Sequence, residues 1–409
     1  MTSPDPVVMK FGGSSVADLD RLRQVARRVV DRAAAQPVVV VVSAMGKTTN
    51  ALLAQARALA DPPPARELDM LLSTGEREAM TLLAIAIHAL GRRAISLTGS
   101  QCGIITDHQH GRARIIEVRP FRILDELAAG HIVIVGGFQG VSYKREVTTL
   151  GRGGSDSSAV ALAAALSADC EIYSDVDGVY SADPSEVPEA HRLPELAYDT
   201  MQALARAGAK VLHTQAVQLA EERGIAIYAR HSRSDQRGET VIRRNPAPAT
   251  GVLAVTSDAV AALQLVLVPG RTHLAPRLAA SLAPLGLRAL HIDERGATGL
   301  LSWTQRTDAA EIPARIGALA RELRADLLEL RCDHDLALVS CVGVGLEDRP
   351  DVATQACEVL RGAGVTVRQF LTDARALAFV VSAAQRLLAV RELHAALVRV
   401  RAKLDSVAS

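Results

Sequence analysis

Residues 7–16 read Val7-Val8-Met9-Lys10-Phe11-Gly12-Gly13-Ser14-Ser15-Val16. The apolar start predicts a buried strand, and the two glycines and two serines predict a turn into a helix. Glycines let a backbone approach a phosphate closely, and the amides and hydroxyls that follow can donate hydrogen bonds to it. A plain strand-to-helix turn would use the same glycines, but it would not place a lysine on an apolar strand. A charge there must be paired or used, so we interpret the stretch as a phosphate-binding turn with Lys10 as its cation.

The N-terminal half continues the alternation of strand and helix. Apolar runs predict further strands at 37–42, 94–97, 132–135 and 170–173. Helical spacing of apolar residues predicts helices at 18–34, 51–60, 66–90, 118–129 and 155–166. Because the strands are continuously apolar, we expect an α/β domain whose mostly parallel sheet is covered by helices on both faces.

The C-terminal part has a different character. Residues 232–250 contain several arginines, Asn245, Pro246 and Pro248, a composition typical of an exposed junction. After it, a βαββα order occurs twice, with strands at 261–268, 289–292, 299–303, 326–330, 336–344, 366–370 and 376–381 and helices at 274–285, 311–324, 352–362 and 387–403. We therefore predict three domains, at residues 1–245, 246–334 and 335–409, of which the last two form a ligand-sensing or dimerising module.

Composition excludes several classes of function. The chain has 46 basic and 45 acidic residues and no long basic run, so we expect neither nucleic acid nor membrane lipid as a partner. Apolar runs are too short to span a bilayer, and the N-terminus lacks the pattern of a signal peptide, which predicts a cytoplasmic protein. The five cysteines are scattered and never form Cys-x-x-Cys, so we expect reduced thiols and no zinc site.

Two polar segments near the first strands allow more than one interpretation. Met45-Gly46-Lys47-Thr48 ends like a P-loop, but the first glycine of that motif is replaced by Val41, so it is not a Walker A site. Residues 43–49 follow a predicted strand, and Ser43 and Thr48 could equally line a pocket or only turn the chain. Glu76 interrupts the apolar pattern of a predicted helix. The local sequence alone favours an ordinary solvated glutamate in a first helical turn over a glutamate that binds an ammonium group.

The second strong constellation lies at residues 148–158, Thr-Thr-Leu-Gly-Arg-Gly-Gly-Ser-Asp-Ser-Ser. Three glycines surround Arg152, whose guanidinium can hold a carboxylate with two hydrogen bonds. Asp156 lies in the first turn of the next helix, where it can orient Lys10 or another cation. Capping of that helix by Ser155 or Asp156 is also expected, but capping does not explain an arginine between glycines.

Residues 174–184 form the third constellation, Ser-Asp-Val-Asp-Gly-Val-Tyr-Ser-Ala-Asp-Pro, directly after a predicted strand. The acidic spacing does not fit an EF-hand loop. We interpret it as an adenosine pocket, with Tyr180 as an aromatic wall and Asp175 as an acceptor for base or ribose. Lys210 in the later segment 208–213 could bind phosphate oxygens, although a lone lysine is more often simply exposed.

Together these motifs resemble aspartate kinases of the amino-acid kinase superfamily. The matching segments, in chain order, are 8–16, 43–46, 75–76, 136–138, 151–156, 174–184 and 208–213. The resemblance implies a three-layer αβα amino-acid kinase fold for residues 1–245. It also implies transfer of phosphoryl from ATP to L-aspartate, giving 4-phospho-L-aspartate, the first step towards lysine, threonine and methionine.

The resemblance also implies roles for individual residues. Lys10 and Asp156 are the expected catalytic pair, and the residues expected to bind aspartate are Ser43, Thr48, Glu76, Arg152 and Ser155. The residues expected to bind the nucleotide are Gly12, Gly13, Ser14, Ser174, Asp175, Tyr180, Asp183, Lys210 and Val211. A carboxylate is already ionised at neutral pH, so no general base is required. Mg²⁺ is expected to be held mainly by the nucleotide phosphates, without protein ligands of its own.

The C-terminal repeats resemble the tandem ACT domains (βαββαβ units) through which this family is inhibited by its end products. The resemblance implies an amino-acid effector and a homodimer formed through these domains. The family's Asp-x-Pro-Gly turn is replaced by Pro269-Gly270-Arg271-Thr272, and its Gln-Asn pair by residues 291–294, His-Ile-Asp-Glu. We therefore expect altered feedback by lysine or threonine.

Overall fold

The computed structural model describes residues 5–209, 211–232, 238–247, 250–268, 270–294, 296–302, 312–324 and 326–398. The chain divides into two compact units. The first comprises residues 1–179, 192–202 and 210–247, and the second comprises residues 180–191, 203–209 and 248–409. Two short pieces of the N-terminal sequence thus belong, by packing, to the second unit.

The described residues of the first unit form twelve strands and seven helices. The strands are β1 (Val7–Phe11), β2 (Val38–Val42), β3 (Ala94–Leu97), β4 (Ile104–Thr106), β5 (Ile115–Val118), β6 (Ile132–Gly136), β7 (Gln139–Ser142), β8 (Val147–Thr149), β9 (Asp169–Ser174), β10 (Glu195–Leu196), β11 (Ile227–His231) and β12 (Glu239–Ile242). The helices are α1 (Leu19–Arg32), α2 (Thr48–Leu59), α3 (Ala65–Ala89), α4 (Phe121–Ala128), α5 (Gly154–Leu166), α6 (Tyr198–Ala207), which continues into the second unit, and α7 (Thr214–Arg223).

An eight-stranded sheet in the order β10-β12-β11-β9-β1-β2-β6-β3 forms the centre of the first unit. Its pairs are parallel except β11 with β12. Side chains alternate along a strand. Met9 and Phe11 therefore pack with α1 and α3 on one face, whereas Lys10 lies on the face covered by α5. The predicted three-layer α/β architecture with a mostly parallel sheet is confirmed.

Two elements explain why these layers form. Helix α1 is capped by Asp18, whose carboxylate accepts from the Arg21 N–H at 2.8 Å, and it buries one apolar stripe, as an amphipathic surface helix does. Helix α5 is made mostly of alanine, serine and other small residues and is almost wholly buried. Small side chains let it lie close to the sheet, which brings Asp156 to Lys10.

The sequence pattern does not predict the second, smaller sheet of the first unit. Strands β5, β4, β7 and β8 form it, in that order. The helix predicted from residue 118 begins at Phe121, because Val118 ends β5. Such short strands lack the long apolar run that marks the central sheet. Their pairing is decided by contacts distant in sequence.

The second unit contains strands β13 (Gly251–Leu267), β14 (Leu287–Asp293), β15 (Gly296–Ser302), β16 (Leu327–Val344), β17 (Gln369–Thr372) and β18 (Ala376–Ser382). Its helices are α8 (Ala275–Leu282), α9 (Ile312–Glu322), α10 (Pro350–Gly362) and α11 (Arg386–Leu397). The six strands among the described residues of this unit form one antiparallel sheet, in the order β14-β15-β13-β16-β18-β17. The predicted α+β character of the C-terminal half is confirmed.

Three predicted strands of this unit are corrected. The strands expected at 326–330 and 336–344 are one strand, β16, and the strand expected at 261–268 begins at Gly251. Val260 pairs with Leu336 but Ala262 pairs with Asp333, so the polar residues between them form a bulge. That bulge resembles a loop in sequence. The predicted domain boundary between residues 334 and 335 falls inside β16, so the two predicted C-terminal domains share this strand. The predicted element ends at Trp303, Glu311 and Lys403 lie outside the described residues.

No helix among the described residues combines the length and the apolar character that crossing a membrane requires.

A buried polar cluster joins residues 180–191 to α11 within the second unit. The Ser181 hydroxyl lies 2.9 Å from Nε2 of His394 and 3.2 Å from Nδ1 of His191. Burial lowers the pKa of both histidines, and for His394 the neighbouring His191 lowers it further while Glu189 opposes the shift. The folded unit therefore favours neutral imidazoles.

This cluster predicts a loss of stability in mild acid. As pH falls below about 6.5, these histidines bind protons in the unfolded chain more readily than in the folded cluster. The free energy of unfolding is therefore maintained above that pH and decreases below it. Thermal unfolding from pH 7.5 to 5 checks this. His394→Gln should reduce the acid-induced drop in melting temperature by about 2–4 °C, whereas His273→Gln, at an exposed position, should not. Equal drops in both variants would contradict the assignment.

Candidate active site

The carboxyl ends of four neighbouring parallel strands meet at one edge of the central sheet. The Gly12 N–H donates to the Tyr173 carbonyl at 3.3 Å, the Ser43 N–H to the Phe11 carbonyl at 3.1 Å, and the Gly137 N–H to the Val42 carbonyl at 3.0 Å. The loops after β1, β2, β6 and β9 are thereby held side by side. In open α/β sheets this edge is where ligands bind.

The turn after β1 packs directly against the turn after β2. A Cβ atom at Gly13 would lie 2.8 Å from the Ala44 carbonyl oxygen, so only glycine fits there. The Gly46 N–H donates to the Gly13 carbonyl at 3.1 Å. Ser14 is exposed, and its carbonyl accepts from Nη1 of Arg21 at 2.7 Å. The predicted phosphate-binding turn is therefore rigid, with an open outer side.

Lys10 and Asp156 form the central ion pair of the site. Nζ of Lys10 lies 2.6 Å from Oδ1 of Asp156, and each side chain is 12% exposed. The predicted capping of α5 by Ser155 or Asp156 is wrong. The cap is Gly153, which adopts a left-handed conformation (φ 70°) and forms no side-chain cap bond. Asp156 is consequently available to orient Lys10.

Glu76 is the clearest correction to the residue-based interpretation. It is not a solvated first-turn glutamate: it lies in the middle of α3 and is 3% exposed. Its Oε1 accepts from the Ala44 N–H at 3.1 Å, while its Oε2 has no hydrogen-bond partner among the described residues. A Cβ atom at Gly75 would lie 2.8 Å from Ala44 Cβ and 3.4 Å from Thr48 Cγ2. Glu76 therefore lies beside the 43–48 turn.

Burial also changes the acidity of Glu76. Removal from water raises its pKa to about 7, and the Ala44 amide opposes this only in part. A buried carboxylate with a free oxygen can bind a cationic group such as an ammonium ion.

The loop that carries Arg152 is shaped by backbone conformation. Gly151 and Gly153 both have positive φ, 75° and 70°, and Arg152 between them is exposed. The Leu150 N–H donates to the Phe138 carbonyl at 2.9 Å, and the Phe138 N–H donates to Oγ of Ser158 at 3.1 Å. These bonds fix both sides of the loop to the residues that follow β6.

Phe138 has a backbone conformation that the local sequence does not predict. Its φ of 66° is unusual for a residue with a side chain, and such conformations concentrate at functional sites. A Cβ atom at the preceding Gly137 would lie 2.9 Å from Oγ of Ser155, which is 7% exposed. The sequence Gly136-Gly137-Phe138 was the available signal. It marks where the β6 loop supports the start of α5.

The expected nucleotide residues are divided between the two units. In the first unit, the Ser174 hydroxyl bonds to the Val176 backbone at 3.1 and 3.3 Å, Asp175 is exposed, and Val211 is half-buried. Tyr180 and Asp183 belong to the second unit, where Asp183 accepts from the Ser185 N–H at 2.9 Å and the Ser185 hydroxyl at 2.6 Å. Lys210 lies outside the described residues.

Comparison with known proteins decides the family. Residues 5–230 match the model of the amino acid kinase family. The chain is 42% identical over 403 residues to an aspartokinase of Mycolicibacterium smegmatis, and the aligned residues cover 95% of each chain. The chain belongs to the aspartokinase family. It is therefore a phosphotransferase with a carboxyl group as acceptor, using ATP to phosphorylate aspartate.

Solved aspartokinases share this fold over almost the whole chain. E. coli aspartokinase III in complex with aspartate and ADP, in its R-state, superposes with a TM-score of 0.83 at 25% identity, covering 96% of this chain and 99% of that one. The same enzyme with lysine and aspartate, in its T-state, gives a TM-score of 0.74 with the same identity and coverage. The aspartokinase fold thus includes the C-terminal unit.

Proposed function

We propose that the edge formed by β1, β2, β6 and β9 is the aspartokinase active site, with the amino-acid end of aspartate between Glu76 and Arg152. The observation that carries this proposal is that the site combines two features. Lys10 and Asp156 form an ion pair at 2.6 Å, and a buried glutamate, Glu76, has an Oε2 atom without a partner among the described residues. Glu76 binds the substrate ammonium, and Arg152 binds its α-carboxylate. Ser43, Thr48 and Ser155 contact the substrate from the adjoining turns.

The chemistry requires positioning rather than a base. A β-carboxylate oxygen of aspartate forms a bond to the γ-phosphorus of ATP while the bond from that phosphorus to the β,γ-bridging oxygen breaks. The electron pair leaves with ADP, and no proton moves. Lys10, oriented by Asp156, stabilises the negative charge on the transferring group. Gly13 and Ser14 donate to the phosphates, and Gly12, which has no side chain, lets the phosphates approach the backbone closely.

The remaining nucleotide contacts follow the same proposal. Ser174 and Asp175 lie at the end of β9, and Val211 lies in the first unit. We assign these three residues to adenosine and phosphate binding, and the same roles for Tyr180, Asp183 and Lys210 stay predictions from the sequence. The pairing of Asp177 with Arg192 at 2.9 Å supports this assignment, because it stiffens the loop after β9.

Mg²⁺ is the expected metal. Among the described residues no three His, Cys, Asp or Glu side chains are grouped as metal ligands. Mg²⁺ commonly binds through substrate phosphates with few carboxylates, and we propose that it is held here mainly by ATP. Bound there, it would neutralise phosphate charge.

The cell compartment and assembly are proposals of the same kind. All five cysteines are free thiols, as expected of a cytoplasmic enzyme. The C-terminal sheet ends at β17, an edge strand whose Phe370 is 42% exposed, which favours a homodimer through the ACT-like half. Light scattering of the purified protein tests it. The altered turn sequences predict weak inhibition by lysine or threonine, although E. coli aspartokinase III has been solved with lysine.

Trapping of the acyl phosphate with hydroxylamine tests the substrate. We expect ATP-dependent hydroxamate with L-aspartate, and at least about 100-fold less with N-acetyl-L-aspartate, because acetylation removes the ammonium that Glu76 binds. Glutamate should react more slowly, since its extra methylene moves the nucleophile. Comparable rates for aspartate and its N-acetyl derivative would refute the assignment of Glu76.

A further inference from the structure

A second buried carboxylate lies on the same face of α3 as Glu76. Asp69 precedes Glu76 by two helical turns, and Ser73 lies between them. Asp69 and Ser73 are both 0% exposed. Residues separated in this way lie one above the other on a helix. Helix α3 thus presents two buried carboxylates towards the loops around the substrate.

Asp69 accepts hydrogen bonds from three residues of the first unit. Its Oδ1 accepts from the Thr149 hydroxyl at 2.5 Å and from the Gly111 N–H at 3.0 Å. Its Oδ2 lies 2.7 Å from Nδ1 of His110 and 3.2 Å from the Gly111 nitrogen. Burial of a carboxylate is costly unless it is bonded in this way.

These bonds converge on the base of the Arg152 loop. Thr149 is the last residue of β8, and its carbonyl accepts from the Ala113 N–H at 2.9 Å. A Cβ atom at Gly151 would lie 3.2 Å from the Gly111 carbonyl oxygen, so the segment held by Asp69 touches the Arg152 loop directly. Asp69 therefore joins the loop to α3 at the point where the chain leaves β8.

We propose that Asp69 is a positioning residue for aspartate binding, acting through Thr149 and Gly111 on Arg152. Helix α3 then fixes both contacts to the amino-acid end of the substrate, because Glu76 binds the ammonium directly and Asp69 sets the place of the arginine. This inference rests on the proposed roles of Glu76 and Arg152. A displacement of about 1 Å at such a contact is enough to lower the rate by about two orders of magnitude.

Steady-state kinetics of Asp69→Asn test the proposal. The amide keeps the shape of the side chain but cannot accept from all three partners. We expect the KM for aspartate to rise about 10- to 30-fold, the KM for ATP to change less than about twofold, and kcat to fall less than about fivefold. Thr149→Val removes one of the bonds and should shift the same constant in the same direction. It provides the test if Asp69→Asn does not fold.

The matched control is Thr148→Val, one residue earlier on β8. Thr148 bonds to Thr106 at 2.6 Å, and Thr106 keeps a bond to the Asp107 carbonyl at 2.8 Å when Thr148 is changed. This variant should keep the KM for aspartate within about twofold. An equal rise in both KM values for Asp69→Asn, or an unchanged KM for aspartate in folded protein, would overturn the proposal.

A double-mutant cycle separates this inference from the proposed function. If Asp69 acts through Arg152, then Asp69→Asn should have little further effect on the KM for aspartate in an Arg152→Lys background. A full effect in that background would refute the positioning role while leaving Arg152 as a ligand. No effect of Arg152→Lys alone would instead refute the proposed substrate contact.

Discussion

Replacement of Lys10 by methionine is expected to lower kcat at least about 1,000-fold while the KM values for ATP and aspartate change less than about threefold. The reason is that Lys10 contributes mainly where negative charge moves between phosphates in the transition state, and less to binding of either substrate. Coupled measurement of ADP release gives kcat, and hydroxamate formation gives an independent rate.

Stability is the main complication of that experiment. Asp156 lies 2.6 Å from Lys10, and methionine would leave this poorly exposed carboxylate without its cation. Lys10→Arg keeps a cation for Asp156 but moves the charged group, so it should lose at least about 100-fold in kcat with little loss of melting temperature. Near-wild-type kcat in both variants would show that the centre of the reaction lies elsewhere.

Lys47 provides the matched control for Lys10. It is exposed and stands at the lysine position of the P-loop-like sequence Met45-Gly46-Lys47-Thr48. Lys47→Met should retain kcat within about threefold, because that segment lacks the first glycine of a phosphate-cradling loop. A large loss for Lys47→Met with little for Lys10→Met would reverse the two assignments.

Replacement of Glu76 by glutamine should lower kcat/KM for aspartate about 100- to 1,000-fold and leave the KM for ATP nearly unchanged. Only the charged carboxylate can pair with the substrate ammonium. Since burial raises the pKa of Glu76 to about 7, the wild-type kcat/KM for aspartate should fall as pH decreases below about 7. In the glutamine variant this part of the pH profile should be flat.

The stability effect of Glu76→Gln has the opposite sign to its effect on activity. A carboxyl group whose pKa is raised on folding contributes stability that is present below the unfolded pKa and lost as pH rises through the folded one. At pH 8 the neutral glutamine should therefore melt at the same temperature as the wild type or higher. Glu78→Gln, exposed on the same helix, is the control and should change neither property. A pH profile unchanged by Glu76→Gln would contradict the assignment of Glu76 as the group that binds the substrate ammonium.

Local pattern was sufficient for the part of the site that follows strands directly. The continuous apolar run Val7–Phe11 predicted a central strand, and Lys10 on it required a partner or a use. From its place in the first turn of the next helix, Asp156 could orient Lys10 or another cation, and the resemblance to aspartate kinases implies Lys10. The structure places these two side chains 2.6 Å apart.

Local pattern failed where burial depends on distant contacts. The local sequence predicts an ordinary exposed glutamate at Glu76, since nothing in its own helix shows that the turn at Ala44 covers it. Asp69 gave no signal, because its three partners come from β8 and the 110–111 loop. The strand β16 was divided in two because a polar bulge and a loop have the same composition.

The amino-acid sequence by itself therefore determined the layered α/β fold, the lysine at the end of β1 and the arginine between glycines, because strand period, chain-turning glycines and a charge on an apolar strand are local properties. Only the tertiary structure decided which carboxylates are buried, what they contact and how acidic they are. A pKa and a hydrogen-bond partner depend on groups that folding brings together from distant parts of the chain. Asp69 and Glu76 have their proposed roles for that reason.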